Sequence, residues 1–268
     1  MIEGFQAFWL GLTQGVTEFI PVSSSGHLEV MQQVLGGRSA DFHLFLEFIN
    51  LGTLLALLIF YRKRIWEIII DIFVNHNFRL AINVIITTIP AVIAGLLLSD
   101  IIESSWFFSN MVVIACAMAL IGIAMLAIDR LPKMSKLKSE KELTKPRALI
   151  IGLAQCVALI PGTSRSGSTI VAGRLTGLDS KSAADYSFLA SIPIMFGVMA
   201  KSLLSSSSRE YIAANLPALA FSNIVAFISG LIAIYFVMKY LRKKNSLKPF
   251  GIYRIVLALI IIVFELLR

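Results

Sequence analysis

The sequence is poor in charged residues. Asp, Glu, Lys and Arg make up 15% of its 268 residues, whereas hydrophobic residues make up 57%. Water-soluble domains contain about 25% charged residues, so this composition excludes a soluble globular protein and predicts a membrane protein. Cysteine is also scarce. Cys116 and Cys156 lie in apolar stretches without metal-ligand spacing, and we interpret both as small buried hydrophobic residues.

The few charges are unevenly distributed, with 24 Lys and Arg against 16 Asp and Glu. The basic residues cluster in short stretches beside apolar segments, which is typical of the cytoplasmic loops of membrane proteins. This arrangement explains the net charge of +8 without a nucleic acid partner. We therefore expect no nucleic acid to bind.

Six apolar segments have the length of a membrane-spanning helix, for which about 20 residues are needed. They cover residues 45–61, 80–98, 108–128, 187–204, 218–238 and 251–267. The basic residues lie in the connections 62–79, 130–147 and 239–248, which we expect in the cytoplasm. The loops 99–109 and 205–217 are then external, and so are both termini.

Two stretches, 1–44 and 148–186, are too interrupted by Gly, Pro, Ser and charged residues to cross the membrane as ordinary helices. Each must enter and leave on one side, as a re-entrant hairpin. An ungapped shift of 141 residues superposes the two stretches and brings, for example, Gly11 onto Gly152. Because three spans follow each hairpin, the second half is inverted relative to the first. Such repeats place a binding site near the bilayer midplane.

The predicted fold class is therefore an all-α integral membrane protein, built as an inverted repeat with six spanning helices in total. The first repeat covers residues 1–130, with its re-entrant helical hairpin at 1–44. The second repeat covers residues 148–268, with its hairpin at 148–186. A basic cytoplasmic loop, 131–147, joins the two.

Two Ser-rich segments carry the most unusual chemistry, 21–27 in the first hairpin and 161–169 in the second. In each, one helix ends before Pro, and Ser or Thr caps a new helix. The start of that helix offers free N–H groups and a positive dipole end, which favours phosphate. The residues predicted to bind a phosphate-bearing substrate are Ser23, Ser25, Gly26, Gly162, Ser164, Ser166, Gly167 and Thr169. The alternative is that these hydroxyls serve only as helix caps.

Three polar side chains within the hairpins need a reason to lie in a membrane. Arg165 is costly there without a partner, and its planar fork suits phosphate oxygens. Gln14 and Glu18 are four residues apart and share one helix face, where they can hold Mg²⁺ or Ca²⁺. The alternatives are a structural salt bridge between Arg165 and Glu18, or a solitary structural Glu18.

His27 ends the first Ser-rich segment and can act as general acid, general base or nucleophile near neutral pH. A purely structural role is the alternative for this residue. Glu47 and Asn50 lie near the outer end of the first span. We expect them to line the mouth of the site.

Together these motifs resemble those of the undecaprenyl pyrophosphate phosphatase family, the bacitracin-resistance membrane phosphatases. That family carries Glu or Gln followed four residues later by Glu, then Pro-Val-Ser-Ser-x-Gly-His, and later Pro-Gly-x-Ser-Arg-Ser-Gly-x-Thr. Gln14 with Glu18, residues 21–27 and residues 161–169 match these patterns in order. Many members have Glu at the position of Gln14, so this chain retains only one carboxylate of the pair.

The resemblance implies a membrane enzyme that hydrolyses undecaprenyl pyrophosphate to undecaprenyl phosphate and inorganic phosphate, recycling the lipid carrier for cell-wall synthesis. It also implies a divalent cation, a multi-pass location in the bacterial cytoplasmic (inner) membrane and a site that opens to the periplasmic side. The partners are then the polyprenyl pyrophosphate lipid and the bilayer. A homodimer is an open alternative to a monomer.

On this basis we expect Arg165 to bind the pyrophosphate and Glu18, with Gln14, to hold the cation. Ser24 is the expected nucleophile, assisted by His27, but attack by His27 itself or by a metal-bound water fits the sequence nearly as well. The competing function is a secondary transporter or flippase of polyprenyl phosphate or another anion, since such carriers share inverted repeats with broken helices. Convergence of Glu, His, Ser and Arg on one anion favours phosphoryl transfer.

Overall fold

The computed structural model describes residues 3–35, 40–131, 137, 139–243 and 246–267. Within these residues the chain forms thirteen α-helices and no β-strand, which confirms the predicted all-α class. In chain order the helices are α1 (Gly4–Phe19), α2 (Ser24–Val34), α3 (Ala40–Phe48), α4 (Asn50–Phe60), α5 (Arg62–Phe73), α6 (Arg79–Ser104), α7 (Trp106–Ser109), α8 (Met111–Arg130), α9 (Lys145–Cys156), α10 (Arg165–Leu175), α11 (Ser180–Leu204), α12 (Ser206–Tyr240) and α13 (Lys248–Leu267).

Five of the described helices are long and apolar enough to cross a membrane. They are the Arg79–Leu98 part of α6, together with α8, α11, α12 and α13. A sixth candidate is a bent pair in which Leu44–Phe60, from the end of α3 through α4, is followed by α5 at an angle of 68°. The described residues therefore contain five or six candidate spans, and each of the six predicted spans overlaps one of them.

Three segments predicted as loops are largely helical. Much of the connection 99–109 belongs to the end of α6 and to α7, and residues 62–73 form α5. In the connection 205–217, α12 begins at Ser206 and continues through the segment, with a kink at Asn215. Ser, Asn and Pro are weak helix formers and predicted breaks here. A Pro in a long helix produces a kink rather than an end when the flanking turns keep their own hydrogen bonds.

The three basic segments meet at one end of the helical bundle. Arg64 of α5 forms an ion pair with Glu140, in the connection that leads to α9. Asp129, at the end of α8, accepts hydrogen bonds of 2.9 Å from the backbone N–H groups of Leu247 and Lys248, where α13 begins. Parts of all three segments are therefore neighbours, as expected if one end of the bundle faces a single compartment.

The two irregular stretches form helical hairpins of the same design. α1 ends before Ile20, whose extended backbone (φ −70°, ψ 130°) precedes a proline. α9 and a short 3₁₀ turn end before Ile160, which is extended in the same way (φ −74°, ψ 120°) and also precedes a proline. Both helices end there because a residue before proline is disfavoured in the helical conformation.

Ser23 and Ser164 start the second helix of each hairpin in the same way. Their hydroxyl oxygens accept hydrogen bonds from the backbone N–H groups of Gly26, at 3.3 Å, and Gly167, at 3.1 Å. Both serines have positive φ angles, 79° and 71°, a strained conformation for a residue with a side chain. The same unusual backbone thus recurs at positions that the 141-residue shift relates.

Each hairpin packs against a helix from the other half of the chain. α1 lies along α12, where Gly11 leaves no room for a Cβ beside the Ser222 carbonyl. α9 lies along α6, where Gly152 is equally close to the backbone of Thr87. These close approaches hold both hairpins between the two halves, so that their loop tips meet inside the protein.

Candidate active site

Glu18 is the centre of a polar cluster that joins the two hairpins. Arg165, the first residue of α10, forms an ion pair with it by donating from Nη2 to Oε1. Ser24 Oγ donates to Glu18 Oε2 at 2.7 Å, and Gln14 Nε2 donates to the same oxygen at 3.2 Å. The side chains of Glu18 and Arg165 are only 10% and 19% exposed. The structure thus brings together four of the residues predicted from separate motifs.

Arg165 has one terminal nitrogen engaged and one unsatisfied. Its Nη2 is held by Glu18, whereas its Nη1 is buried and has no hydrogen-bond partner among the described residues. Buried donors are normally satisfied in folded proteins. The salt bridge considered from the sequence is therefore formed, but it uses only part of the guanidinium fork and leaves Nη1 for an acceptor such as a phosphate oxygen.

Gln14 connects the cluster to the first span. It is 1% exposed, and its Nε2 also donates to Asn50 Oδ1 at 2.7 Å. The amide of Asn50 in turn donates to the carbonyl oxygens of Leu46, at 3.0 Å, and Glu47, at 3.2 Å. Gln14 therefore acts as a donor to Glu18 and to Asn50 at once and fixes their relative positions.

His27 forms hydrogen bonds through both of its ring nitrogens. Its Nδ1 donates to the Ser23 carbonyl at 2.7 Å, so that Nε2 of the neutral ring accepts from the Tyr253 hydroxyl at 2.8 Å. The two rings also stack, with centroids 5.7 Å apart. His27 was predicted to assist Ser24, but in this arrangement both imidazole nitrogens are bonded to the Ser23 carbonyl and to Tyr253, and Ser24 donates to Glu18.

Several hydroxyls that were predicted to bind phosphate form hydrogen bonds within their own loops. The hydroxyls of Ser23 and Ser164 accept from backbone N–H groups, and Ser166 Oγ lies 3.3 Å from Ser164 Oγ. Thr169 donates to the Arg165 carbonyl at 2.8 Å. The sequence offered the alternative that these hydroxyls only support the loop. The hydrogen bonds of Ser23, Ser164 and Thr169 agree with that alternative.

Ser25 differs from these residues because it faces the other hairpin. Its Oγ accepts a hydrogen bond of 3.4 Å from the backbone N–H of Gly162, which directly joins the two loop tips. Gly162 has a φ of 91°, which is unfavourable for a residue with a side chain, and it packs against the Ile114 carbonyl. A residue with a Cβ therefore does not fit at this position. Gly26 and Gly167 pack closely on methionine side chains of α8.

Arg254 of α13 is a residue that the sequence analysis missed. It is the largest fully buried side chain, with 0% exposure. Its guanidinium donates to the carbonyl oxygens of Pro21 at 3.3 Å, Gly162 at 2.8 Å, Thr163 at 3.0 Å and Met118 at 3.0 Å. It therefore ties both loop tips to α8. The signal for it was a single Arg inside an apolar span, since an ionisable residue within a membrane segment is functional by default.

A cavity of about 410 Å³ lies beside the cluster. Ser24 and Gln14, which both contact Glu18, form part of its wall. Glu47 and Asn50 line it as predicted, and the other polar lining residues are Ser25, Glu29 and Ser109. The apolar lining consists of Leu28, Leu46, Ile102, Phe108, Leu159 and Pro161. Side chains from both hairpins and from the α6–α7 connection thus surround one space.

Several residues that line this cavity have oxygen atoms of the kind that a hard divalent cation prefers. They are Glu29 and Glu47 with their carboxylates, Gln14 and Asn50 with their amides, and Ser24 with its hydroxyl. The described residues contain no group of three or more His, Cys, Asp or Glu arranged to hold a metal. Mg²⁺ commonly takes only one or two protein carboxylates and completes its shell with water and substrate phosphates. The donor set therefore fits Mg²⁺ or Ca²⁺.

Comparison with known proteins assigns the family. The family model described as bacitracin resistance protein BacA matches residues 7–260, which include both Ser-rich segments and every residue of the site. The chain belongs to the BacA family.

Curated relatives align with this BacA-family chain over almost its whole length. The undecaprenyl-diphosphatase of Caulobacter sp. (strain K31) is 38% identical over 258 residues, covering 95% of this chain and 94% of that protein. Undecaprenyl-diphosphatase 1 of Clostridioides difficile (strain 630) is 36% identical, covering 98% and 97%. The undecaprenyl-diphosphatase of Wolinella succinogenes is 38% identical, covering 97% of each chain.

Proposed function

We propose that this BacA-family chain hydrolyses undecaprenyl pyrophosphate to undecaprenyl phosphate and inorganic phosphate. Membership of the family and relatives named undecaprenyl-diphosphatase support this function. The observation that carries it is the contact of Glu18 with Arg165, next to a cavity that Ser24 lines. A carboxylate, a hydroxyl and a guanidinium joined in one cluster beside a cavity are groups that phosphoryl transfer uses. A carrier would need only groups that bind.

In the proposed reaction Arg165 binds the terminal phosphate. Its Nη1 is the unsatisfied donor, and the first turn of α10 adds a positive dipole end. Phosphoryl transfer depends mainly on positioning and on stabilising charge at the equatorial oxygens. A guanidinium already fixed by Glu18 provides that stabilisation without having to reorganise.

Ser24 is our candidate nucleophile. Its Oγ attacks the terminal phosphorus, its proton passes to Glu18 Oε2 at 2.7 Å, and the bond from phosphorus to the bridging oxygen breaks. Undecaprenyl phosphate leaves, and water then hydrolyses the phosphoserine to release inorganic phosphate. His27, whose Nε2 accepts from Tyr253, is the alternative nucleophile.

The cation proposed for this reaction is Mg²⁺ or Ca²⁺, held by Glu18 with the amide oxygen of Gln14. When bound it neutralises part of the charge of the pyrophosphate. Asn50 keeps Gln14 in place through the hydrogen bond of 2.7 Å. Gln14 supplies no second carboxylate, but Glu47 and Glu29 lie on the cavity wall, where Ser202 Oγ donates to Glu47 Oε2 at 2.8 Å.

We further infer an inverted repeat in which 1–130 and 148–268 are the two units. Three observations support it: the equivalent caps at Ser23 and Ser164, the packing of each hairpin against the other half, and the contact between Gly122 of α8 and Gly251 of α13. The contact between Gly122 and Gly251 joins α8, the third span of the first unit, to α13, the third span of the second. Equivalent spans meet in this way when a two-fold axis relates the units.

The proposed location is the bacterial cytoplasmic membrane, with the basic end inside, both termini outside and the site open to the periplasm. The positive-inside rule supports this orientation. α6 begins at the basic end and finishes at the opposite one, where Ile102 and Phe108 line the cavity. One chain supplies every group of the cluster, so the homodimer stays a prediction that the site itself does not require.

Hydrolysis by the purified protein tests the function. In detergent micelles with Mg²⁺, the chain should release one inorganic phosphate for each undecaprenyl pyrophosphate and leave the monophosphate. The same purification from cells that do not produce the chain controls for contaminating phosphatases. Intact substrate after prolonged incubation, with the protein monodisperse, would rule out the phosphatase in favour of a carrier.

Ser24→Ala is expected to lower kcat by about 100-fold, because it removes both the attacking oxygen and the proton transfer to Glu18. The measurement is phosphate release, together with mass spectrometry of acid-quenched protein for a phosphorylated residue 24. Ser109→Ala is the matched control, since this serine also lines the cavity but donates only to the Ser105 carbonyl. A wild-type rate in Ser24→Ala would exclude the serine route, and a phosphate found on residue 27 would assign the attack to His27.

A further inference from the structure

No residue of α5 is fully buried, and the helix has two different sides. On one side, Ile65 and Ile68 pack against the hydrophobic core. On another, Trp66 and Phe73 are 62% and 75% exposed, and Ile69 between them is 37% exposed. Residues three and four positions apart share a face of a helix, so Trp66, Ile69 and Phe73 form one exposed apolar stripe.

The direction of α5 places this stripe at the surface of the bilayer. The candidate span Leu44–Phe60 reaches the lower length limit for a membrane helix, about 17 residues, and α5 turns away from it by 68°. Residues 62–64 at the turn are Arg, Lys and Arg, and such charges mark the cytoplasmic end of a span. α5 therefore runs closer to the membrane plane than to its normal, at the level of the lipid headgroups.

The acidic and basic residues of α5 differ in their partners. Glu67 pairs with Arg64 at 2.7 Å, and Asp71 pairs with a lysine of the connection that leads to α9. Arg62 and Lys63 are exposed and form no ion pair with an acidic side chain among the residues that the structure describes. The charge left at the surface of α5 is therefore positive, which complements the phosphates of anionic lipids.

We propose that α5 is an interfacial helix that binds anionic lipid headgroups at the basic end of the helical bundle. The stripe of Trp66, Ile69 and Phe73 inserts between the lipids, and Arg62 and Lys63 contact the headgroup phosphates. Two ion pairs join α5 to the connection that precedes α9. Lipid binding therefore also holds the start of the second hairpin at the membrane surface, whether or not a substrate is bound.

Tryptophan fluorescence of the whole chain in phosphatidylcholine vesicles tests the position of α5. The sequence contains three tryptophans, so Trp9→Phe with Trp106→Phe leaves Trp66 as the reporter. Bromine atoms on a lipid acyl chain quench a tryptophan that they contact. Quenching should be strongest with bromines near the headgroup end of the chain and about twofold weaker with bromines near the methyl end, because an interfacial helix lies about 5–10 Å deep.

Two further variants, each in a chain that also carries Trp66→Phe, show which face of α5 meets the lipid. Phe73→Trp places the reporter on the stripe and should be quenched as Trp66 is. Glu67→Trp is the matched control, because it lies beside Trp66 on the exposed polar face. Its quenching by lipid should be about threefold weaker, since adjacent positions of a helix point about 100° apart.

The preference for anionic lipid is measured with the chain that has only Trp66. Brominated phosphatidylglycerol in unlabelled phosphatidylcholine, and the reverse mixture, give the relative affinity of the two lipids. We expect phosphatidylglycerol to bind at least about fivefold more tightly, the factor that one basic residue near the surface contributes. Arg62→Gln with Lys63→Gln should abolish this preference. Arg242→Gln with Lys243→Gln, two exposed basic residues after α12, is the matched control and should retain it.

The following outcomes would overturn the inference. Strongest quenching of Trp66 by bromines near the methyl ends would show that α5 continues the span. Protection of Trp66 from both brominated lipid and aqueous acrylamide would assign the stripe to a second copy of the chain. Equal quenching of Glu67→Trp would mean that no single face meets the lipid, and equal affinity for the two lipids would remove the role of Arg62 and Lys63. None of these measurements depends on hydrolysis.

Discussion

The Arg165→Lys variant is expected to fold normally yet to hydrolyse undecaprenyl pyrophosphate with a kcat/KM about 10²- to 10³-fold lower than the wild-type chain. Lysine keeps the positive charge and can still pair with Glu18, so the buried carboxylate is not left alone. It has no second terminal nitrogen. The donor that corresponds to Nη1 of Arg165, which has no partner among the described residues, is therefore lost.

Steady-state phosphate release, with the melting temperature measured in the same detergent, separates a catalytic effect from unfolding. Arg174→Lys is the matched control, because Arg174 lies in the last turn of the same helix and donates to the Leu178 carbonyl. It should retain activity within about twofold. Undiminished turnover in Arg165→Lys would remove the guanidinium fork from the mechanism.

Arg254→Met is expected to abolish hydrolysis and to lower the melting temperature by about 10 °C. The substitution leaves the carbonyl oxygens of Pro21, Gly162 and Thr163 without their donor. Each buried unsatisfied group costs about 1–3 kcal/mol, and about 3 kcal/mol in total corresponds to such a shift in a chain of this size. Both loop tips lose their common anchor, so the positions of Ser24 and Arg165 are no longer fixed.

Arg254→Lys distinguishes anchoring from charge. A lysine retains the charge but cannot reach four carbonyl oxygens with one nitrogen. We expect it to recover part of the melting temperature and little of kcat. Arg242→Met, an exposed arginine that follows α12, is the control and should change neither quantity. Full activity in Arg254→Met would mean that the loops hold their geometry without this residue.

The sequence predicts well those features that depend on local rules. The five or six candidate spans follow from apolar length, and the ends of α1 and of the turn after α9 follow from the residues before Pro21 and Pro161. The cluster of Gln14, Glu18 and Arg165 follows because a charge inside a membrane must find a partner. In each case the feature is determined by neighbouring residues in the sequence: the length of an apolar run, a following proline, or a charge within an apolar segment.

Features that depend on contacts between distant segments are not visible in the same way. His27 bonds to Tyr253, which lies 226 positions later, and nothing near either residue indicates this pairing. The hydroxyls of Ser23 and Ser164, which were predicted to bind the ligand, accept hydrogen bonds from backbone N–H groups, a contact that the sequence offered only as the alternative. Ile102 and Phe108 look like ordinary apolar residues until α6 and α7 place them beside Ser24.

Arg254 belongs to α13, which follows both Ser-rich loops in the sequence, and this order has a consequence for biogenesis. A ribosome delivers the two Ser-rich loops to the membrane well before it completes α13. Until that helix inserts, the carbonyl groups at both loop tips lack the guanidinium that fixes them. We therefore expect the two loops to reach their fixed geometry only after α13 has inserted into the membrane beside them.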